Sequence, residues 1–224
     1  MPADCLMYPA SPLPPAELVG RLERLASALV SDGSGRWAGA TGLGPIAGLK
    51  PGQVVVGPAF TVRTRPGDNL VVHKAMDIAR PGEVLVVAAG GHTDRALLGG
   101  LMGQYAATKG IVALVVDGAV RDRSDLDRVS PPVFATGLTH LGPYKNGPGE
   151  LRGPVSVGGV VIRDGDLLVC DEDGVAVIPR HRAEEITSAA EAKFDSEAAE
   201  RRAIAEGTWD RSWIDAALAV REVS

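Results

Sequence analysis

Apolar residues recur along this chain in two spacings, and their alternation predicts a mixed α/β protein. Between Ala16 and Val30 the large apolar side chains fall at Leu18, Leu22, Leu25 and Leu29, a one-faced helical spacing that ends before Gly33. Gln53 to Arg65 reads as a strand interrupted at Gly57-Pro58. The turn Pro66-Gly67-Asp68 follows, with Asp68 or Asn69 capping a helix from Leu70 to Ala79. Val84 to Ala89 and Ile111 to Val116 are unbroken apolar runs rich in β-branched residues, the pattern of parallel strands covered on both faces. A helix expected over 94–108, after the loop Gly90-Gly91-His92-Thr93, joins them into a right-handed β-α-β unit. The second run stops at the turn dipeptide Asp117-Gly118.

Downstream, Pro131 to Thr136 is a short strand, and Gly137 to Pro154 a long Gly- and Pro-rich loop carrying His140, Tyr144 and Lys145. Val155 to Ile162, Leu167 to Cys170 and Val175 to Ile178 read as three strands of a small antiparallel layer. The acidic turn Asp171-Glu-Asp-Gly174 is too short for an EF-hand loop and reads as a solvated hairpin. Arg180 to Glu206 is helical and highly charged, with a second helix from Ser212 to Arg221. The first has a thin apolar face (Ile186, Ala189, Ala192, Ala199, Ile204), so it is expected to pack against a neighbouring subunit. Residues 1 to 14 are Pro-rich and extended, and Gly33 to Gly52 irregular.

Length and composition narrow the class. At 224 residues, with 45% apolar and 23% charged content, the chain is expected to be one domain over 1–224. A net charge of −5, with no basic run interleaved with aromatics, argues against nucleic-acid binding. Cys5 and Cys170 do not make a disulfide framework, and neither a secretory leader nor a membrane-spanning run is present; a cytoplasmic protein without a membrane partner is expected. Four His and two distant Cys offer no zinc-ligand spacing.

The candidate chemistry sits where the second apolar run ends. Open α/β sheets place ligands outside the carboxyl ends of their strands, and Arg121, Asp122 and Asp125 stand there. Asp122 and Asp125 are spaced to share one face of a following helical turn. A fixed guanidinium beside two carboxylates suits an anionic substrate held with a hard divalent cation. The competing reading is a surface ion pair or helix cap, worth about 1 kcal/mol. What favours a site is Gly99-Gly100-Leu101-Met102, which the preceding strand end brings to the same rim; glycines let backbone N–H groups approach an oxyanion. His73, alone on its helix, reads first as a packing residue. Of the lysines, Lys50, Lys74, Lys109, Lys145 and Lys193, none adjoins the cluster in sequence, although Lys145 can arrive on the long loop. A divalent cation is therefore better supported there as the electrophile than a lysine Schiff base.

Several segments in order resemble a known family. They are Gly57-Pro-Ala59, Gly67-Asp-Asn-Leu-Val-Val-His-Lys74, Pro81-Gly82, Val116-Asp-Gly-Ala-Val-Arg-Asp122, Gly142-Pro143 with Lys145, Pro154-Val155, Gly158-Gly159, Asp164-Gly-Asp166 and Asp173-Gly-Val175. Over roughly residues 50 to 180 they resemble the metal-dependent 4-hydroxy-4-methyl-2-oxoglutarate/4-carboxy-4-hydroxy-2-oxoadipate aldolases and the related RraA-like proteins. The most specific part is Gly100, twenty intervening residues, Arg121-Asp122, two more, then Asp125. That spacing is similar to the signature of RraA-like proteins expected to keep lyase activity.

The resemblance implies an α/β/β sandwich of the swivelling-domain kind, with flanking N- and C-terminal helices. It also implies a homotrimer that can pair into a hexamer, with residues 181–224 in oligomer contacts. Arg121 would bind the carboxylate or keto oxygen of a pyruvyl unit, and Asp122 would ligate Mg²⁺ or Mn²⁺ directly or through water. Amides around Gly99, Gly100, Leu101 and Met102 would hold the pyruvyl carboxylate. Dedicated aldolases carry Asp where this chain has Gly100, with Asp125 the stand-in, acting through water. Glu197, with Glu200 in reserve, is the match for an acid contributed by a neighbouring subunit. The implied activity is a pyruvate-releasing lyase acting on 4-hydroxy-2-oxo diacids, on oxaloacetate by decarboxylation, or on both. The alternative is a non-catalytic RraA-like regulator that binds a ribonuclease, which leaves the Arg121, Asp122 and Asp125 set unexplained. A methyltransferase label, sometimes given to such sequences, finds no glycine fingerprint after the first strand.

Overall fold

The computed structural model describes residues 2–37 and 39–221. Among them the strands are β1 (Cys5–Met7), β2 (Gly44–Ala47), β3 (Val55–Thr64), β4 (Val84–Leu98), β5 (Ala113–Val120), β6 (Val133–Leu138), β7 (Gly149–Leu151), β8 (Val155–Val157), β9 (Val160–Ile162), β10 (Leu167–Asp171) and β11 (Gly174–Ile178). The helices are α1 (Ala16–Leu22), α2 (Ser27–Gly33), α3 (Leu70–Ile78), α4 (Gly100–Thr108), α5 (Arg123–Val129), α6 (Ala183–Glu206) and α7 (Ser212–Ala217). The fold is mixed α/β, as the two hydrophobic spacings predict.

The main sheet runs β1-β7-β3-β4-β5-β6-β2, and the β3 to β6 neighbours are all parallel. Its apolar strands bury both faces. One face packs on α3, α4 and α5 through Val72, Met76, Ala106 and Leu126. The other meets the β8–β9 and β10–β11 hairpins through Phe134, Val157, Ile162 and Leu168. The outer face of β10–β11 is in turn covered by α1, α2 and the first half of α6, through Leu22, Val30 and Ile186.

Several boundaries differ from the sequence expectation, each for a tertiary reason. β3 is not interrupted at Gly57-Pro58; it exchanges partners there, pairing with β10 up to Pro58 and with β4 from Ala59. A Cβ at Gly57 would overlap the Gly82 carbonyl oxygen. The helix expected over 94–108 begins only at Gly100, because Ala96 and Leu98 remain in β4, paired with Ala119 and Val120. The loop 90–93 is absorbed into that strand as bulges. Asp117-Gly118 is likewise no turn but strand, opposite Ala88 and His92, so β5 runs on to Val120. The single helix expected over 16–30 breaks into α1 and α2, because Asp171 accepts the Ser27 amide N–H at 2.6 Å and its hydroxyl at 2.6 Å. The acidic turn is the expected hairpin, with Glu172 and Asp173 exposed, but Asp171 is buried beneath α2. Val155 to Ile162 is a hairpin hinged at Gly158-Gly159, and the long loop after Gly137 contains β7, which joins the main sheet. α6 begins at Ala183 and α7 ends at Ala217. The first half of α6 buries Ile186 and Ala190 on its own chain, whereas Phe194 and Ile204 stay about half exposed, at 49% and 52%.

One buried ion network ties the strands together. Arg152 donates to Glu83 at 3.0 and 3.2 Å and to Asp164 at 2.8 Å, and its guanidinium lies 3.9 Å over the Phe60 ring. Burial pushes the Glu83 carboxyl up, but hydrogen bonds from Arg152 and Arg80 outweigh it and hold the pKa below the ordinary value. Its stabilisation is thus complete above the ordinary carboxylate range, near pH 4.3, and is lost as pH falls through the lowered value. Glu83→Gln leaves Arg152 short of a charge partner and is expected to cost about 3 kcal/mol at pH 7. Urea unfolding should show that loss narrowing between pH 5 and pH 3 (roughly the window about that carboxylate range); an undiminished gap would contradict the assignment.

Candidate active site

β5 carries its chain to the rim of the sheet and releases Arg121 and Asp122 directly beyond Val120. Asp122 adopts a left-handed conformation (φ 56°, ψ 43°), which turns the chain at once into α5. Such a conformation costs a side-chain-bearing residue about 1 kcal/mol and is often met at functional sites. Asp122 therefore precedes the helix, and only Asp125 lies on it; the two do not share a helical face. The Asp122 Oδ2 accepts the Gly100 N–H at 3.2 Å and stands 3.5 Å from Arg121 Nε. Gly99 and Gly100 are required here for space. A Cβ at Gly99 would lie 2.9 Å from Arg121 Cγ and closer still to Asp122 Oδ2, and one at Gly100 would lie 2.6 Å from Asp125 Cβ.

These groups border a cavity of about 150 Å³. The end of β4 gives Leu98 and Gly99, the first turn of α4 gives Leu101 and Met102, and Arg121 and Asp122 form the charged wall. The amides of Leu101 and Met102 find no acceptor among the described residues. They sit at the positive end of α4, a ready place for an oxyanion.

The opposite wall comes from α3 and the loop after β6. Buried Asn69 donates to the Leu97 carbonyl at 2.9 Å and the Met102 sulfur at 3.3 Å, which aims its Oδ1 at Lys145 Nζ, 3.4 Å away. Lys145 Nζ also lies 3.2 Å from His73 Nε2. Burial, then the Lys145 charge, lowers the His73 pKa against the opposing pull of Asp77, so a neutral imidazole accepts from Lys145. Buried Asp68 fastens this wall. Its carboxylate takes the amide N–H of Leu70 at 3.0 Å, of Asn146 at 2.7 Å and of Gly147 at 3.1 Å. Burial alone would raise the Asp68 pKa, but the three amides and Arg65 pull it below the ordinary value.

The cavity thus holds two cationic side chains, one carboxylate and a helix N-terminus, a balance suited to an anion. Among the described residues no three His, Cys, Asp or Glu are grouped to hold a metal. Asp122 alone offers a carboxylate there, with Oδ1 lacking a hydrogen-bond partner and the side chain 44% exposed. That fits a hydrated Mg²⁺ or Mn²⁺, which needs only one or two protein carboxylates when water and substrate oxygens complete its shell.

The structure brings together Arg121, Asp122, Gly99, Leu101 and Met102, with Gly100 contributing its amide to Asp122. Asp125 stands outside the cavity lining, packed against Gly100 and bonded to Arg128. Glu197 lies on α6 between Lys193 at 3.8 Å and Arg201 at 3.6 Å, not among the residues lining its own chain's cavity. No local pattern marks Asn69 or Lys145 as a site residue, and His73 alone on its helix has the pattern of a packing residue. The pair is 76 positions apart, and the signal that pointed to both was their place in the family-like segments Gly67 to Lys74 and Gly142 to Lys145.

The chain is similar to several known proteins. A family model described as RraA-like, Aldolase/RraA, matches residues 27–177. A Halalkalibacterium halodurans protein provisionally named 4-hydroxy-4-methyl-2-oxoglutarate aldolase is 44% identical over 158 residues, covering 70% of this chain and 75% of its own. The 4-hydroxy-4-methyl-2-oxoglutarate aldolase of Thermus thermophilus is 39% identical over 112 residues, covering 50% and 68%. Among solved structures, Streptomyces coelicolor RraAS2, described as an unusual member of the RNase ES inhibitor RraA family, superposes with a TM-score of 0.74 at 31% identity, covering 85% of this chain and 98% of that one.

The glycine pair gives a direct check. Gly99→Ala must force Arg121 and Asp122 aside and is expected to destabilise by about 1–3 kcal/mol, as overpacking does. Gly20→Ala, on α1 with nothing within 4 Å of the added carbon, should be neutral or stabilising. Chemical denaturation of both variants reads the difference; equal stabilities would show that the site is not packed this tightly.

Proposed function

The chain belongs to the RraA-like, Aldolase/RraA family, and from that membership we propose that it is a divalent-metal-dependent lyase releasing pyruvate from 4-hydroxy-2-oxo diacids, with oxaloacetate decarboxylation as a further reaction of the same site. The observation that carries this reading is the cavity wall in which Arg121 and the half-exposed Asp122 face the free amides of Leu101 and Met102.

In retro-aldol cleavage the C4 hydroxyl loses its proton, the C3–C4 bond breaks, and its electron pair becomes the enolate of pyruvate, which is then protonated at C3. The Leu101 and Met102 amides hold the pyruvyl carboxylate at the α4 terminus. Arg121 neutralises charge building on the enolate oxygen. Lys145, held by Asn69 and His73 across the cavity, takes the second carboxylate of the diacid. Asp122, whose Oδ1 is free, would hold Mg²⁺ or Mn²⁺. The ion would supply Lewis-acid polarisation of the substrate. A water oriented by Glu197 of the partner subunit would accept the C4 hydroxyl proton, while Asp125, paired with Arg128 outside the lining, supports the Gly100 turn. In decarboxylation of oxaloacetate the C3–C4 bond breaks to release carbon dioxide, its electron pair becomes the same enolate with no hydroxyl proton to remove, and C3 is then protonated.

A homo-oligomer, trimer or hexamer, belongs to this proposal. Leu101 is 85% exposed at the cavity mouth, and the distal half of α6 exposes Phe194 and Ile204. Among the described residues no helix is long and apolar enough to cross a membrane. The likeness to RraAS2 favours a second reading, regulation by protein contact.

With Mg²⁺, the protein is expected to release pyruvate from a 4-hydroxy-2-oxo diacid or from oxaloacetate, followed with a coupled dehydrogenase. EDTA should abolish turnover and added Mg²⁺ restore it. Arg121→Ala and Asp122→Ala should each lower kcat/KM by at least about 10²-fold. Turnover indifferent to EDTA, or none with either substrate class, would transfer the reading to the regulator.

A further inference from the structure

The loop 139–148 carries Lys145 and lies against Arg121, and besides Asp68 a second side chain outside the cavity holds it. Arg95, half-buried near the end of β4, places its guanidinium 4.2 Å over the Tyr144 ring and donates from Nη1 to the Gly142 carbonyl at 2.8 Å. Its neighbour Ala96 donates its amide to the Leu141 carbonyl at 2.9 Å, which brings the loop in beside β4. The methylenes of Arg95 lie under Gly67, where a Cβ would stand 3.2 Å from Arg95 Cβ and 3.3 Å from Cδ. Gly67 in turn accepts the Tyr144 N–H at 2.8 Å. Among the described residues Arg95 pairs with no carboxylate, so its hydrogen bond and its ring contact both go to this loop.

The two anchor points adjoin the two cations. Gly142 lies against Arg121, since a Cβ there would come within 3.0 Å of Arg121 Nη1. Tyr144 directly precedes Lys145, whose ammonium reaches Asn69 and His73 inside the cavity. Arg95 itself does not line that cavity.

We propose that Arg95 is a positioning residue that sets the placement of Arg121 and Lys145 for the same substrate dianion, through its hold on Gly142 and Tyr144. The proposal rests on the lyase reading for its kinetic consequence, and on the loop geometry alone for its structural one. An arginine fits the task because a planar guanidinium can stack on an aromatic face while donating in its own plane. A displacement on the order of 1 Å in a binding group costs up to about 10²-fold in rate.

The test compares Arg95→Met, Arg95→Lys, Tyr144→Leu and the double variant Arg95→Met/Tyr144→Leu, with Arg63→Met as a control on the same sheet. Arg95→Met is expected to raise KM and lower kcat together, with kcat/KM falling by about 10²-fold. Its melting temperature should stay within a few degrees of the parent. Arg95→Lys, which keeps a cation over the ring and one donor for Gly142, should recover most of the loss. The double variant should be no worse than the poorer single one, because the two residues act through one contact. Unchanged kinetics in Arg95→Met, or losses that simply multiply in the double variant, would overturn the proposal. If the parent protein turns over no 2-oxo acid, the lyase reading fails separately, and amide hydrogen exchange decides. Faster exchange at residues 142–147 in Arg95→Met upholds the positioning role, and exchange equal to the parent refutes it.

Discussion

The parallel pairing of β4 with β5, sustained from Val84 and Ala113 to Leu98 and Val120, is the constraint from which the site follows. Parallel neighbours end on the same side of a sheet, so whatever follows each strand arrives at one rim. After β4 comes a glycine pair and the start of a helix; after β5 come a guanidinium and a carboxylate. The glycines matter because the two ends arrive almost in contact. With any side chain at Gly99 or Gly100 the Asp122 and Asp125 carboxylates would be displaced, and the Gly100 amide would no longer reach Asp122. The bulges in β4 serve the same end, taking up extra residues while the pairing with β5 continues past them.

Around that rim, buried carboxylates act as fasteners. Asp68, Asp171 and Glu83 are each buried, and each has donors at hand: the loop and α3 amides for Asp68, the α2 start for Asp171, and Arg152 with Arg80 for Glu83. A buried charge is tolerated only when its lone pairs are met, so each one fixes the segments that meet it. In this way Asp68 joins the start of α3 to the loop carrying Lys145 and fixes that wall of the cavity. The site's polarity then has a simple origin. Its acids, Asp122 apart, are spent on backbone amides and arginines outside the lining, whereas Arg121, Lys145 and the α4 amides remain turned inward.

The amino-acid order by itself determined what rests on near neighbours. The buried runs at Val84 and Ile111 and the helix after Asn69 were legible because each depends on side chains a few residues apart, and the Gly100, Arg121, Asp122 spacing because it resembles a family signature. Asn69 and Lys145 lay too far apart in sequence to be joined by any local pattern. Tertiary structure decided the rest, always where a distant partner overrode a local preference. Asp171 ended a helix whose apolar spacing continued through Ala26, because it captures Ser27 from 144 positions away. Pairing with β4 kept Asp117-Gly118, a turn dipeptide in isolation, extended in β5. Asp68 and Arg95 drew Lys145 into the cavity from a loop with no regular periodicity. Periodicity records which way a residue faces; which charge it meets there depends on chain segments that only the fold brings together.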